Sequence, residues 1–133
     1  MSFALRFTSI LSLTCLLALS SCGLDERLES ISVTPNNVTI TGAGLELHYT
    51  ALGHYSHPSN TKDITAFVTW ASSAPQIISV EQTGVATSGL GCDSNLAITA
   101  TSNASTPHKS DSVIVGSAIV NVKQPTGTNP NCT

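Results

Sequence analysis

The stretch Leu45-Glu46-Leu47-His48-Tyr49-Thr50-Ala51-Leu52 decides the fold. Leu45, Leu47, Tyr49 and Ala51 alternate with Glu46, His48, Thr50 and Leu52, the period of a half-buried β-strand. Working outward, the same period recurs on both sides. Upstream, Val38 and Ile40 form a short piece ended by Gly42-Ala43-Gly44, and Ile31 and Val33 precede the turn signal Pro35-Asn36-Asn37. Downstream, a polar loop from Gly53 to Lys62 separates this strand from Ala66, Val68 and Trp70, which alternate with Thr69 and Ala71. Ile78 and Val80, then Val85 after the Thr83-Gly84 turn, then Leu96, Ile98 and Ala100, continue the pattern. Ser102 to Ser110 reads as loop, and Val113 to Val122 closes the series with Ala118, Val120 and Val122 inward.

About seven short strands with turn signals every 8–12 residues predict an all-β, antiparallel sandwich with Greek-key connections. Its expected core includes Tyr49, Val68, Trp70, Ile98 and Val120. Composition agrees: charged residues are 10% of the 133, while Thr, Ser, Val, Ile, Ala and Gly dominate. The formal net charge is -3. A weakly acidic chain without Lys/Arg clusters argues against a nucleic-acid partner and against an electrostatic membrane patch.

The first 21 residues read as a leader, with Arg6 in a short positive start and an apolar run from Ile10 to Leu19 too short to span a bilayer. Leu19-Ser20-Ser21-Cys22 resembles the bacterial lipobox, an aliphatic residue and two small ones before a cysteine. The resemblance implies a diacylglyceryl group on the Cys22 thiol, cleavage before it, and anchorage to the lipid bilayer through N-terminal acyl chains. Each buried methylene of such a chain contributes roughly 0.8 kcal/mol. The alternative is a plain secretory leader cut near Ala18 or Ser20. Gly23, where an Asp would favour the inner membrane of a diderm cell, directs the expectation to the outer membrane of a bacterial envelope. Residues 22–27 are the expected lipidated terminus and tether, 28–123 the domain, and 124–133 a flexible tail. The polar stretch Gly23 to Glu29 reaches at most about 25 Å.

An ordered set of segments resembles bacterial immunoglobulin-like group 2 domains. It begins with Leu28-Glu29-Ser30-Ile31-Ser32-Val33-Thr34-Pro35 and Tyr49-Thr50-Ala51-Leu52-Gly53-His54-Tyr55-Ser56. It continues through Thr61-Lys62-Asp63-Ile64-Thr65, Val68-Thr69-Trp70-Ala71-Ser72-Ser73, Ile78-Ser79-Val80 and Thr83-Gly84-Val85-Ala86-Thr87. Ala97-Ile98-Thr99-Ala100-Thr101 and Ala118-Ile119-Val120-Asn121-Val122 complete it. The resemblance implies an immunoglobulin-like sandwich used for adhesion, carbohydrate contact or spacing. It transfers no catalytic residue. The single domain and the long Ser102–Gly116 connection depart from the family and weaken any inference of an adhesive stalk.

Cys92 and Cys132 are the cysteines left once Cys22 is acylated and Cys15 is placed in the leader. Antiparallel pairing of the last two strands brings both to one end of the sandwich, so a disulfide is expected in an oxidising compartment. Free thiols are the alternative. Tyr55, His57, Asn60 and His108 are the candidate binding-loop residues, a tyrosine beside a polar loop being suited to stacking on a sugar. His54 and His57 with Asp63 could converge on an ion, but a solvated loop is the commoner explanation, and no metal or other cofactor is assigned. There is no Gly-x-Ser-x-Gly elbow and no paired acid. The expectation is a non-catalytic binding module for an envelope protein or polysaccharide, with a structural spacer and a small hydrolase as the alternatives.

Overall fold

The computed structural model describes residues 25–109, 111–127, 129, 130 and 132. The leader and Cys22 lie outside the described residues. Ten strands follow one another: β1 (Arg27–Thr34), β2 (Val38–Thr41), β3 (Glu46–His48), β4 (Thr50–Ser56), β5 (Asn60–Asp63), β6 (Val68–Ser72), β7 (Ile78–Val80), β8 (Val85–Ser88), β9 (Asp93–Ser102) and β10 (Val115–Lys123). One 3-10 turn, Thr65–Phe67, precedes β6, and there is no α-helix among the described residues.

The strands make an all-β, immunoglobulin-like sandwich. One layer has the order β2-β10-β9-β6. The other combines β1-β4-β5 and β3-β8-β7, because β3 and β4 are halves of one run parted at Tyr49. Tyr49 N–H donates to Gly84 O (2.8 Å) and Ile64 N–H to Ala51 O (2.9 Å), so β8 and β5 line the same edge of that run. The strand read from Leu45 to Leu52 therefore serves two partners in succession. All pairings are antiparallel except β2 with β10. The chain does not reverse between β1 and β2: it turns through Pro35-Asn36-Asn37 into the opposite layer and keeps its direction, so it meets β10 in parallel.

The stretch read as a polar loop, Gly53 to Lys62, is mostly strand. β4 runs on to Ser56 and pairs with β5 through Tyr55↔Asn60, Gly53↔Lys62 and Leu52↔Asp63. Ala51, Gly53 and Tyr55 face inward, but a glycine and flanking polar residues hide the period. Ala66 likewise belongs to the 3-10 turn and is exposed, and Ile64 fills the core in its place.

Tyr49, Val68, Trp70, Ile98 and Val120 are all buried, as the alternation predicts. A strict period of two would set Leu28 and Ile31 on opposite faces. Both are buried because a bulge between Leu28 and Ser30 leaves Glu29 unpaired and restores the inward face. Asn95, at φ 58°, absorbs a corresponding irregularity between β9 and β10, and its N–H is met by Asn121 Oδ1 at 2.8 Å. Asparagine tolerates this backbone region better than most residues.

The layers approach closely at Gly116: a Cβ there would lie 2.4 Å from Ile31 O. That oxygen is backbone, so relief requires β1 and β10 to separate. Gly116→Val is therefore expected to destabilise the domain by about 1–3 kcal/mol or more, read as a lower urea midpoint.

Burial pushes the Tyr49 phenol up to about 12. Its hydroxyl is buried and has no hydrogen-bond partner among the described residues. The folded state holds the phenolic proton more tightly than the unfolded chain. Stability is thus fully present below pH 10 and falls as pH rises from 10 towards 12. Tyr49→Phe should remove that alkaline limb and raise stability at neutral pH by about 1 kcal/mol, because it deletes an unsatisfied buried hydroxyl. Chemical unfolding at pH 7 and pH 11 checks both effects.

Candidate functional site

The two ends of the sandwich differ in construction. At one end the start of β1, the β4–β5 turn and the connection between β9 and β10 meet. Leu28 N–H donates to His108 O (3.0 Å) and Tyr55 Oη–H donates to Pro107 O (3.1 Å). Thr106 Oγ1 donates to Phe67 O at 2.6 Å, fixing the long connection against the start of β6. At the centre sits Glu26, just ahead of β1. Asn60 Nδ2 donates to its Oε1 at 2.7 Å, and Lys62 Nζ donates to its Oε2 at 2.6 Å. His108 Nε2 lies 3.1 Å from the same Oε2. Lys62 also sits 5.1 Å over the Tyr55 ring, with the His108 ring edge-on to it at 6.3 Å.

Three of the four candidate loop residues, Tyr55, Asn60 and His108, thus come together, and His57 does not. His57 is exposed on the turn at φ 53°. Tyr55 is 3% exposed, so it offers no ring face for a sugar to stack on. Its place is set by β4, on which the residues after Ala51 continue to alternate. The sequence reading missed Glu26, which organises the cluster. Its signal was weak: one acid in a polar stretch ahead of the first strand.

The hydrogen bonds from Lys62 and Asn60 hold the Glu26 carboxyl below its ordinary value of 4.5. A carboxyl whose folded pKa is lowered stabilises the fold above its unfolded pKa, and this stability is lost as pH falls below about 4.5. Glu26→Gln should flatten the acid limb of the stability curve below that pH and lower stability at pH 7 by the same amount, a small one for an ion pair near the surface. A denaturant series from pH 3 to pH 7 measures this. The Asp63 carboxyl is also held low, by bonds from Thr65 Oγ1 (2.6 Å) and Thr65 N–H (2.9 Å).

The histidines are dispersed. His54 bonds Ser32 Oγ (2.8 Å) and Thr61 Oγ1 (3.2 Å) on the outer face of β4, whereas His48 is on β3 beside Glu46 at 4.0 Å. Among the described residues no group of three or more His, Cys, Asp or Glu could hold a metal ion.

At the opposite end Cys92 and Cys132 form a disulfide with Cα atoms 5.7 Å apart. The tail, read from sequence as flexible, is tied down at several points. Gln124 is buried, and its Nε2 donates to Gly89 O and Gly91 O, both at 2.9 Å. Asn129 Nδ2 donates to Leu90 O at 3.1 Å. The returning tail lines an open cleft together with Asp93, Asn121 and Lys123.

No family model matches the chain, and no curated protein matches it.

Proposed function

We propose that this chain is a lipid-anchored, immunoglobulin-like module of the bacterial cell envelope, related to the group 2 domains and working without catalysis. It stands on the membrane, the outer one in a diderm cell, and presents a rigid surface to an envelope protein or polysaccharide. The observation that carries this reading is the clamp on Glu26. Four residues after Cys22, the chain is already held by Asn60, Lys62 and His108. Four extended residues reach at most about 14 Å. An acylated Cys22 would therefore hold the Glu26 end of the sandwich against the bilayer, and the disulfide end would project away. A disulfide at the projecting end suits an exported, oxidising location.

This orientation changes which surfaces are useful. The loops chosen from sequence, with His57, Asn60 and His108, share the end that carries the N-terminus. They would face lipid headgroups, leaving the disulfide end and the outer sheet faces open to partners. A spacer role is the second reading, favoured by the tightly bonded long connection, which has little freedom to adapt to a ligand.

The test is Cys22→Ser in a bacterial host. The parent chain should fractionate with membranes and the variant with the soluble export fraction. Equal membrane association of the two would overturn the anchor.

A further inference from the structure

Among the described residues five large apolar side chains stand exposed, and three of them gather at the Glu26 end of the sandwich. Phe67 is 44% exposed, Val113 65% and Val115 56%. The strand registers place them near one another. Val115, Thr101 and Thr69 form one cross-strand row over β10, β9 and β6, and Val68 pairs with Ser102 in the next. Ser102 N–H donates to Ile114 O at 2.8 Å, which continues that second row. Phe67 and Val113 come just past it, on either side of β9. Strands two apart in a sheet lie about 10 Å from one another, so the three side chains make one patch. The other two exposed apolar residues, Leu45 and Leu90, lie at the disulfide end.

The backbone under the patch is fastened. Asn103 Nδ2 donates to Thr69 Oγ1 and Asn103 N–H to Thr106 Oγ1, each at 2.9 Å. Ile114 N–H donates to Ser102 Oγ at 2.9 Å. With the Thr106 bond to Phe67 O, these tie down both roots of the long connection. Charge around the patch is nearly balanced. Residues 25–29 and 103–112, with Lys62, contain three Lys/Arg against four Asp/Glu, a net of -1. The full chain is at -3 and the mature chain, without Arg6, at -4, so a net of -3 lies away from this end.

Resting on the anchored reading above, we infer that Phe67, Val113 and Val115 form a second membrane contact, seated in the headgroup region of the bilayer that holds the acylated Cys22. A contiguous exposed apolar patch marks an interaction site. The tether selects the bilayer as its occupant. Four residues keep this end within about 14 Å of the lipid. A folded partner of even 100 residues, with a radius of gyration of about 13 Å, is roughly twice as wide as that gap. Tethering also supplies the high local concentration that lets three side chains suffice. The contact is apolar, because this end has no excess of positive charge to draw it to anionic headgroups. The patch lies at the rim of the β6-β9-β10 side. Seating it tilts the sandwich toward that layer and fixes an orientation that the tether alone leaves free.

The test places one spin label at a time in the full mature chain, carried in phosphatidylcholine vesicles: Val113→Cys in the patch, and Ser59→Cys on the β4–β5 turn of the same end. The readout is the access of oxygen, which concentrates in lipid, relative to that of a water-soluble nickel chelate. This ratio should be about threefold or more higher at Val113→Cys than at Ser59→Cys. Adding Phe67→Ser and Val115→Ser should bring Val113→Cys down to the Ser59→Cys value, whereas raising salt about tenfold should leave it unchanged. Native Trp70 fluorescence confirms folding of each variant, and the comparison of the two single labels decides without the serine pair if that variant fails to fold. The mass of Cys22 in the same sample reads the anchor separately. With Cys22 acylated, equal ratios at the two labels, a ratio unmoved by the serine pair, or loss of the contact in high salt would overturn the apolar seat and leave the anchor standing. A bare Cys22 would overturn both.

Discussion

Trp70→Ala is expected to lower stability by about 3–5 kcal/mol, enough to leave a domain of ordinary stability marginal at 37 °C. Trp70 is 3% exposed, and its ring packs 6.3 Å from that of Tyr49 between the layers. Its Nε1–H donates to Thr65 O at 3.0 Å. Truncation therefore removes the largest side chain of the core and leaves the carbonyl of the 3-10 turn without its donor. Trp70→Phe separates the two contributions. It keeps most of the packing and loses the bond, so its cost should be less than half that of alanine. Urea unfolding followed by circular dichroism measures both, with the midpoint falling and the slope unchanged. An alanine variant within 1 kcal/mol of the parent would mean that the layers close without Trp70.

Replacing Cys92 and Cys132 together by serine should cost roughly 4 kcal/mol. The bond closes a sequence separation of 40 residues, and the entropy denied to the unfolded chain grows with the logarithm of that length. For a domain of about 100 residues this corresponds to a fall in Tm on the order of 15–30 °C. The loss should begin at the tail. Gln124 and Asn129 hold it through bonds to Gly89, Gly91 and Leu90, and once the cross-link is gone these few bonds must order the tail alone. Hydrogen exchange should rise first in residues 124–132 and in the 89–91 loop. A double-serine variant that melts with the parent would show that the tail contributes nothing to the fold.

The layers were legible because burial on one face imprints a period of two, and Tyr49, Val68, Trp70, Ile98 and Val120 carry that imprint. What escaped follows from places where the period is interrupted or masked. Glu29 is bulged out of β1, so Leu28 and Ile31 share a face that simple alternation denies them. Gly53 faces the core without a side chain to announce it; a Cβ there would lie 2.9 Å from Leu28 and Tyr55 atoms. The parallel pairing of β2 depends on where the chain turns after Thr34, which side-chain pattern does not encode. The disulfide was legible because topology alone brought its ends together. The candidate site was legible only in part: Tyr55, Asn60 and His108 converge, but the residue that gathers them, Glu26, has no local pattern to mark it.

The proposed lipid anchor places the Glu26 end on a bilayer. It is tested most directly by energy transfer from single labels at Ser59→Cys, on the β4–β5 turn, and Thr126→Cys, beside the disulfide, to headgroup acceptors in vesicles carrying the full mature chain. The nine residues of β10 separate the two ends by about 30 Å. Strong transfer is expected from Ser59→Cys and weak transfer from Thr126→Cys. Equal transfer from both, or the reverse order, would contradict it.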